Sequence, residues 1–334
     1  MDYFKHRTLL SAACLSTLTL ASLSSLSVQA QEQALSLYET CLNEALREAS
    51  DEMTVAQIKQ ACSDQKIAKF PLETRRLNEK LTEQNAFVLT PHRINYITLS
   101  HYTNGANKAP FIADSNHGSN FQDQELQFQL SFKFPLALDI PIFGNEIDVY
   151  AAYTNRSFWQ FFDNKDSIPF RETNHEPEVW AEFHADIDFL DYNLHKVMVG
   201  INHQSNGQSG TLSRGWNRLF VQAFMQRKNS YVSFKTWQRF EEEDEFDNSF
   251  NYTKYLGDYE LEAVYKLEKH SFGLKGRNSY IPNEYGSMQF DYTYPLTRRI
   301  KGYVQLFRGY GDSLIDMDRH TNKISFGIVL ADRI

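Results

Sequence analysis

Apolar and polar residues alternate along much of the chain from Thr90 onward. The clearest run places an apolar side chain at every second position: Leu126, Phe128, Leu130, Phe132, Phe134 and Leu136. Glutamate, glutamine, serine and lysine stand between them, and residues 259–267, 288–294 and 324–330 repeat the pattern. A period of two is typical of a β-strand with one apolar and one polar face.

About twelve such segments follow one another. They lie near 92–103, 124–137, 146–161, 175–188, 191–204, 213–227, 229–239, 255–267, 269–280, 285–296, 299–311 and 321–333. Several exceed the ~5–6 residues of a soluble strand and fit the ~9–11 that cross a bilayer at a tilt. We therefore predict an all-β fold, a twelve-stranded antiparallel transmembrane β-barrel over residues 87–334. The alternative is a secreted soluble β-protein, which would have to bury these apolar faces in a core.

The first 30 residues have the pattern of a secretory signal peptide. Lys5 and Arg7 precede an apolar stretch, and Val28-Gln29-Ala30 has the small-x-small form of a cleavage site. The mature chain is then expected to begin at Gln31. The alternative is a lipoprotein with its lipid on Cys14.

Residues 31–86 are predicted to form a helical hairpin extension on the periplasmic side. Thr54-Val55-Ala56-Gln57 has the form of a capping box that starts the second helix. Cys41 and Cys62 are nearly equidistant from the expected turn, and export takes them to an oxidising compartment. A disulfide between them is predicted, with a free pair of thiols as the alternative.

Charge and composition narrow the function classes. The formal net charge is −8, which argues against nucleic acid as a partner. No run of ~18 apolar residues follows the signal, so the sequence offers no transmembrane helix. The 25 Phe and 18 Tyr residues would suit a soluble domain, and they also suit the aromatic girdles of a barrel.

A candidate site lies at the end of the fifth predicted strand. One face of this strand carries Val197, Val199, Ile201, His203 and Ser205. His203 and Ser205 are two residues apart, which places their Cα atoms roughly 6.5–7 Å from each other, within reach for a serine–histidine hydrogen bond. On the next strand Asn217 shares its face with Leu219 and Val221, so its amide could orient His203. Polar groups among lipid-facing aliphatic residues are costly, and a lipid substrate would explain them. The alternative is a polar cap where the strand runs into a loop.

Two blocks carry a resemblance to a known family: GINHQSNGQS at residues 200–209 and SRGWNR at 213–218. They are similar to the signature of the outer membrane phospholipase A family. The segments PFRETNHEP at 169–177 and GYGDSLID at 309–316 resemble those that enter the fourth and leave the eleventh strand of that family. The resemblance spans about residues 88–334, and the family's fold is a twelve-stranded barrel.

The resemblance implies roles for individual residues. Ser205 corresponds to the nucleophile, His203 to the general base and Asn217 to the group that orients His203. It also implies Ca²⁺ as a cofactor that polarises the ester carbonyl. The matching ligand positions are the Ser213 hydroxyl, the Gln208 carbonyl and Ser167 from the second subunit of a homodimer.

Three positions depart from the family pattern. Gly210 stands where the family often has Asp, so a secondary calcium site there is in doubt. Asn155 replaces a typical Gln at the membrane-embedded dimer contact. The chain ends in Arg333-Ile334 in place of the usual terminal Phe.

The resemblance thus implies a calcium-dependent phospholipase A1/A2 in the bacterial outer membrane. Its substrates would be phospholipids and lysophospholipids, and dimerisation would control it. Two alternatives stand beside this expectation: a non-enzymatic pore or transport barrel, and a lipid A deacylase on a smaller barrel.

Overall fold

The computed structural model describes residues 54–59, 70–83, 88–115, 120–142, 145–163, 170–240, 251–280, 284–297 and 300–334. The predicted signal peptide, both cysteines of the predicted disulfide, and Ser167 lie outside these ranges. Residues 70–75 belong to the same compact unit as residues 88–334, whereas residues 54–59 and 76–83 belong to a second unit. The predicted domain division at residues 86 and 87 stays a prediction.

Twelve long strands are present in the described part of the chain. They are β1 (Asn95–Tyr102), β2 (Gln124–Ile142), β3 (Asn145–Trp159), β4 (Phe170–Phe189), β5 (Tyr192–Ser205), β6 (Gly215–Arg227), β7 (Ser230–Arg239), β8 (Tyr259–Leu267), β9 (His270–Asn278), β10 (Ser287–Pro295), β11 (Lys301–Gly309) and β12 (Thr321–Ala331). Each strand pairs antiparallel with its neighbour in sequence, and β12 pairs with β1. The sheet therefore closes into a barrel, and the predicted twelve-stranded fold is confirmed.

Three α-helices and one short 3-10 helix (Gly210–Leu212) accompany the strands in the described residues: α1 (Pro71–Glu83), α2 (Ala109–Ser115) and α3 (Tyr252–Leu256). No helix of the described residues is long and apolar enough to cross a membrane. A further helical turn begins at Val55, where the predicted capping box is confirmed: Gln57 N–H donates to Thr54 Oγ1, and Thr54 N–H donates to Gln57 Oε1.

The connections differ in length at the two ends of the barrel. At one end, here called the turn end, tight links such as residues 190–191 and 228–229 join the strands. At the other, the loop end, the links are longer and include residues 206–214 and 310–320. Short turns on one side and long loops on the other are typical of outer-membrane barrels.

The two faces of the sheet have opposite chemistry. Large apolar side chains are exposed on the outside, among them Leu99, Phe134, Phe183, Ile201, Leu219, Leu274, Leu306 and Phe326. The positions between them point inward and carry polar and charged groups such as Ser100, Gln127, Glu178 and Lys323. An apolar exterior and a polar interior are the reverse of a soluble protein, and they fit a wall that faces lipid.

Buried ion pairs fill the lumen at the loop end. The Arg171 guanidinium donates to both carboxylate oxygens of Glu125 at 3.0 Å, and to Asp316 Oδ2 at 2.9 Å. Burial alone would raise the pKa of Asp316, but the Arg171 guanidinium and the Ser313 hydroxyl hold it below its usual value. Lys323 pairs with Asp312 at 2.5 Å. These contacts fold the 310–320 loop into the mouth of the barrel.

At the turn end, contacts join the two ends of the compact unit that contains the barrel. Arg75 donates to the Arg333 and Pro91 carbonyl oxygens, each at 2.7 Å. The Arg333 side chain enters the lumen and pairs with Glu262 at 2.9 Å and Asp291 at 2.5 Å. The Arg333 side chain is thus an internal ion-pair partner.

Candidate active site

The pairing of β5 with β6 places two of the three candidate catalytic residues side by side. His203 lies opposite Asn217 in this register, next to the pair Asn202 and Arg218. His203 is exposed and Asn217 half-buried, while Asn202 and Arg218 are buried in the lumen. The candidate pair therefore stands on the outer surface, on the same face as exposed Ile201 and Leu219.

A hydrogen bond of 2.7 Å joins His203 Nδ1 to Asn217 Oδ1. An amide oxygen only accepts, so Nδ1 must carry the proton of this bond. The neutral imidazole then has its lone pair on Nε2, the state required of a general base. This bond is the contact that an orienting role of Asn217 would require, and the role itself stays a prediction.

Ser205 lies two residues beyond His203 on the same outward face of β5 and is half-buried. Within residues 170–240 no hydrogen bond joins its hydroxyl to His203. Catalytic hydrogen bonds are often long without substrate and tighten when it binds. On the β6 side Ser205 faces Gly215, where a Cβ would lie 3.4 Å from the Ser205 Cβ. The nucleophile candidate thus has no side chain beside it on that flank.

Buried contacts in the lumen fix the strands behind these residues. Arg218 donates to Glu176 Oε1 at 3.1 Å and also to Asn202 Oδ1, while Asn202 Nδ2 donates to Glu176 Oε1 at 3.0 Å. Arg93 holds Glu176 from the other side at 2.7 Å. One step along, Trp216 Nε1 donates to Gln204 Oε1 at 2.9 Å. Strands β4, β5 and β6 are therefore held in a single register directly behind His203.

The 206–214 loop is organised by the buried Asn206. Its Oδ1 accepts from the backbone N–H of Arg214 at 2.9 Å and of Gln208 at 3.3 Å. Its Nδ2 donates to the Leu212 carbonyl at 2.8 Å and to Glu172 Oε2 at 3.2 Å. Gly207 takes a positive φ of 64°, which lets the chain turn sharply after Asn206. One buried amide thus sets the shape of the loop.

Two of the three expected calcium ligand positions lie on this loop. Gln208 is exposed and Ser213 half-buried, whereas Ser167 lies outside the described residues. Carbonyl and hydroxyl oxygens are hard donors of the kind that Ca²⁺ binds. No cluster of three or more acidic, His or Cys side chains that could hold a metal occurs in the described ranges. Gly210 has a φ of 62° and open space around its missing side chain. The donor set fits Ca²⁺ but brings little negative charge.

Sequence reasoning missed Asn206, Gly215 and His175 as residues that adjoin the candidate site. His175 lies directly opposite Ser205 in the pairing of β4 with β5. The alternation of inward and outward side chains along β5 predicts that Asn206 is an inward polar residue, and a glycine follows it. This pattern is the signal that could have identified it. The neighbours on β4 and β6 depend on strand register, for which the sequence has no local signal.

Comparisons with known proteins agree with this geometry. The family model described as Phospholipase A1 matches residues 72–330. The phospholipase A1 of Proteus vulgaris is 38% identical over 248 residues, which cover 74% of this chain and 83% of that protein. The phospholipase A1 of Escherichia coli (strain K12) is 36% identical over the same length, covering 74% and 83%.

Two solved structures share the fold. The Salmonella typhi outer membrane phospholipase, a dimer with bound calcium, superposes with a TM-score of 0.69 at 35% identity, covering 74% of this chain and 94% of that one. The Escherichia coli outer membrane phospholipase A gives a TM-score of 0.69 at 34% identity, covering 74% and 100%. The resemblance inferred from the sequence motifs is confirmed. The chain is an outer-membrane β-barrel and belongs to the phospholipase A1 family.

Proposed function

We propose that this protein hydrolyses the acyl esters of phospholipids and lysophospholipids, at the sn-1 or sn-2 position, in the outer membrane. The observation that carries the proposal is the 2.7 Å bond between His203 and Asn217 on a face otherwise built of exposed aliphatic residues. Such a polar group beside lipid is costly unless a lipid is its substrate. Membership of the phospholipase A1 family supports the same reaction.

In the proposed mechanism Ser205 Oγ attacks the ester carbonyl, and His203 Nε2 takes the hydroxyl proton. Asn217 Oδ1 holds the imidazole while it becomes positively charged. His203 then gives the proton to the departing alcohol of the lysolipid, which leaves an acyl group on Ser205. A water molecule, deprotonated by the same nitrogen, releases the fatty acid and restores the serine.

A neutral amide in the third position suits a lipid-facing site. A carboxylate would lose its hydration there at a large free-energy cost, whereas an amide oxygen still accepts the imidazole N–H. Backbone N–H groups beside Ser205 would help to hold the oxyanion. Bound Ca²⁺ supplies Lewis-acid polarisation of the ester carbonyl. The Ser213 hydroxyl, the Gln208 carbonyl and Ser167 from a second copy of the chain would hold the ion.

The proposal includes control by dimerisation, because a lipase active at all times would damage its own membrane. The Salmonella typhi relative is described as a dimer with bound calcium. In this chain, Ser167→Ala should raise the calcium concentration needed for activity. In mixed dimers the defect should be rescued at the one site that receives an intact Ser167. A defect that higher calcium does not relieve would argue against the ligand role.

The pore alternative needs an open, water-filled lumen. In the described residues the lumen holds buried ion pairs and large buried aromatic side chains, including Trp180, Trp216, Trp237 and Tyr252. The twelve strands also weigh against the smaller barrel of a lipid A deacylase. The structure therefore favours a phospholipase over both a pore and a lipid A deacylase.

The test is hydrolysis of phosphatidylcholine by purified protein in detergent micelles, with calcium or with a chelator. Ser205→Ala should abolish fatty-acid release, while heat-modifiable migration in electrophoresis stays that of the folded barrel. Ser209→Ala is the matched control, because Ser209 is an exposed serine of the same loop with no proposed role. Full calcium-dependent activity in Ser205→Ala would refute the assignment.

A further inference from the structure

A second polar network lies on β3 and β4, on the outer face of the barrel and beside Ser205 of β5. Its members are Tyr153, Asn155, Ser157, Thr173 and His175, joined by side-chain hydrogen bonds. They share their face with exposed Val179 and Phe183 farther toward the turn end. The dimer contact expected at Asn155 would account for one member of the network. The reaction proposed above uses none of the others, although polar groups at a lipid-facing wall need a functional explanation.

The contacts within the network favour one tautomer of the neutral His175 ring. Tyr153 Oη lies 2.6 Å from His175 Nδ1, and Asn155 Nδ2 lies 3.4 Å from the same nitrogen. The Ser157 hydroxyl donates to Asn155 Oδ1 at 2.9 Å, which turns the amide nitrogen of Asn155 toward the histidine. Two donors thus converge on Nδ1, so Nδ1 accepts and the proton of the neutral ring sits on Nε2.

The Nε2–H group of His175 is therefore a hydrogen-bond donor, and its position is defined. A Cβ on Gly207 would lie 3.6 Å from both Nε2 and Cδ2 of His175. The donor edge of the ring thus faces the start of the 206–214 loop. Among the residues that the structure describes, none accepts a hydrogen bond from this nitrogen.

The surroundings indicate what such a donor would meet. Beyond His203 and Tyr153 toward the turn end, the outer face is aliphatic, with Val179 opposite Ile201. An ester carbonyl at Ser205 would leave its acyl chain along these residues. The glycerophosphate part of the lipid would then extend the other way, toward the loop and the Nε2–H of His175.

We propose that His175, held in its Nε2–H form by Tyr153 and Asn155, donates a hydrogen bond to the phosphodiester of the substrate. This proposal rests on the proposed function and adds a reason for preferring phosphoglycerides over neutral glycerides. A hydrogen bond to an anionic oxygen is stronger than one between neutral groups. Because the contact exists before and during the reaction, its loss acts on substrate binding and so raises KM.

The experiment compares two substrates with the same acyl chains, dilauroyl phosphatidylcholine and dilauroylglycerol, in mixed micelles with saturating calcium. His175→Phe keeps a ring but removes the donor. It should lower kcat/KM for the phospholipid about tenfold, mainly through KM. Hydrolysis of the diacylglycerol should change little. His175→Gln, which keeps an N–H donor in reach, should recover most of the loss.

The chain offers a matched control at a distant place on the barrel. His270 Nδ1 and Tyr292 Oη lie 2.9 Å apart, and both residues are half-buried on β9 and β10. His270→Phe removes the same chemistry from another part of the wall and should leave both substrates unaffected. Tyr153→Phe should give a smaller, phospholipid-selective loss, because one of the two donors that fix the ring is gone.

A second measurement does not depend on turnover of the phospholipid. Ether-linked phosphatidylcholine cannot be cleaved, so it should inhibit diacylglycerol hydrolysis competitively, with an inhibition constant about tenfold higher in His175→Phe. An equal loss on both substrates, or no loss on either, would overturn the subsite and leave the proposed function standing. If the unaltered protein hydrolysed neither substrate, the proposed function would fail. Direct binding of a fluorescent ether-linked phosphatidylcholine to the unaltered protein and to His175→Phe would then decide the subsite.

Discussion

Asn206→Ala should raise the calcium requirement of the enzyme and leave the barrel folded. The amide of Asn206 is 3% exposed and satisfies the Arg214 N–H, the Gln208 N–H and the Leu212 carbonyl. Alanine offers none of these contacts. The change leaves the backbone groups in place, including the Asn206 N–H that donates to the Arg214 carbonyl oxygen at 3.0 Å.

The magnitude follows from the contacts that are lost. Each backbone hydrogen bond contributes about 1 kcal/mol net, and a buried group left unpaired costs about 1–3 kcal/mol. The two shortest contacts, to Arg214 N–H and the Leu212 carbonyl, together contribute about 2 kcal/mol to the folded loop. The loss of this free energy lowers the ratio of the ordered loop to other loop conformations about 30-fold, so the apparent calcium affinity falls by at most about 30-fold, and by less where the ordered loop still predominates.

The assay is phosphatidylcholine hydrolysis in micelles at increasing calcium concentrations. Asn206→Ala should need up to about 30-fold more calcium for half-maximal activity and should approach the unaltered rate at saturation. Asn193→Ala is the matched control, because Asn193 is a buried, hydrogen-bonded asparagine near the other end of β5. A lower rate at saturating calcium with an unchanged calcium midpoint would refute this reasoning, and so would the same midpoint shift in the control.

Three further predictions address other parts of the chain. Asn217→Ala should lower kcat by on the order of tenfold to a hundredfold, less than Ser205→Ala, because the His203 imidazole can still accept the proton and loses only one orienting hydrogen bond. Gln238→Ala on the neighbouring strand is the control. A complete loss of activity in Asn217→Ala would argue that Asn217 does more than orient His203. Gly215→Val should fill the space beside Ser205 and lower kcat/KM by on the order of a hundredfold, with a smaller effect for Gly215→Ala, whose Cβ would make an ordinary contact at 3.4 Å. Equal activity in the unaltered protein and both variants would show that this space is not needed for catalysis. Thiol labelling of the unreduced, denatured protein should find neither Cys41 nor Cys62 free, and stoichiometric labelling of both would exclude the disulfide.

Local patterns in the sequence were sufficient for the strands and for the side on which each residue lies. Side chains in a strand alternate between two faces, so the position of Ile201 on the outer face also places His203 and Ser205 there. The capping box at Thr54 and Gln57 is local in the same way and could be identified directly. Helix α2 has only seven residues and no clear period. Its Phe111 packs with Phe121 and with Ile315, and Ile315 lies about 200 residues further along the chain, so the helix was not predicted.

Strand register and the contents of the lumen depend on the tertiary structure. Parity shows that Asn217 faces outward, but only the pairing of β5 with β6 sets it opposite His203. His175 is 30 residues before Ser205 in the sequence and becomes its direct neighbour through the pairing of β4 with β5. The same holds for the cluster of Arg93, Glu176 and Arg218, whose members come from separate segments. Alternation is a property of each strand alone, whereas register is chosen by the closure of the whole barrel, since a slip of one residue would turn charged side chains toward lipid.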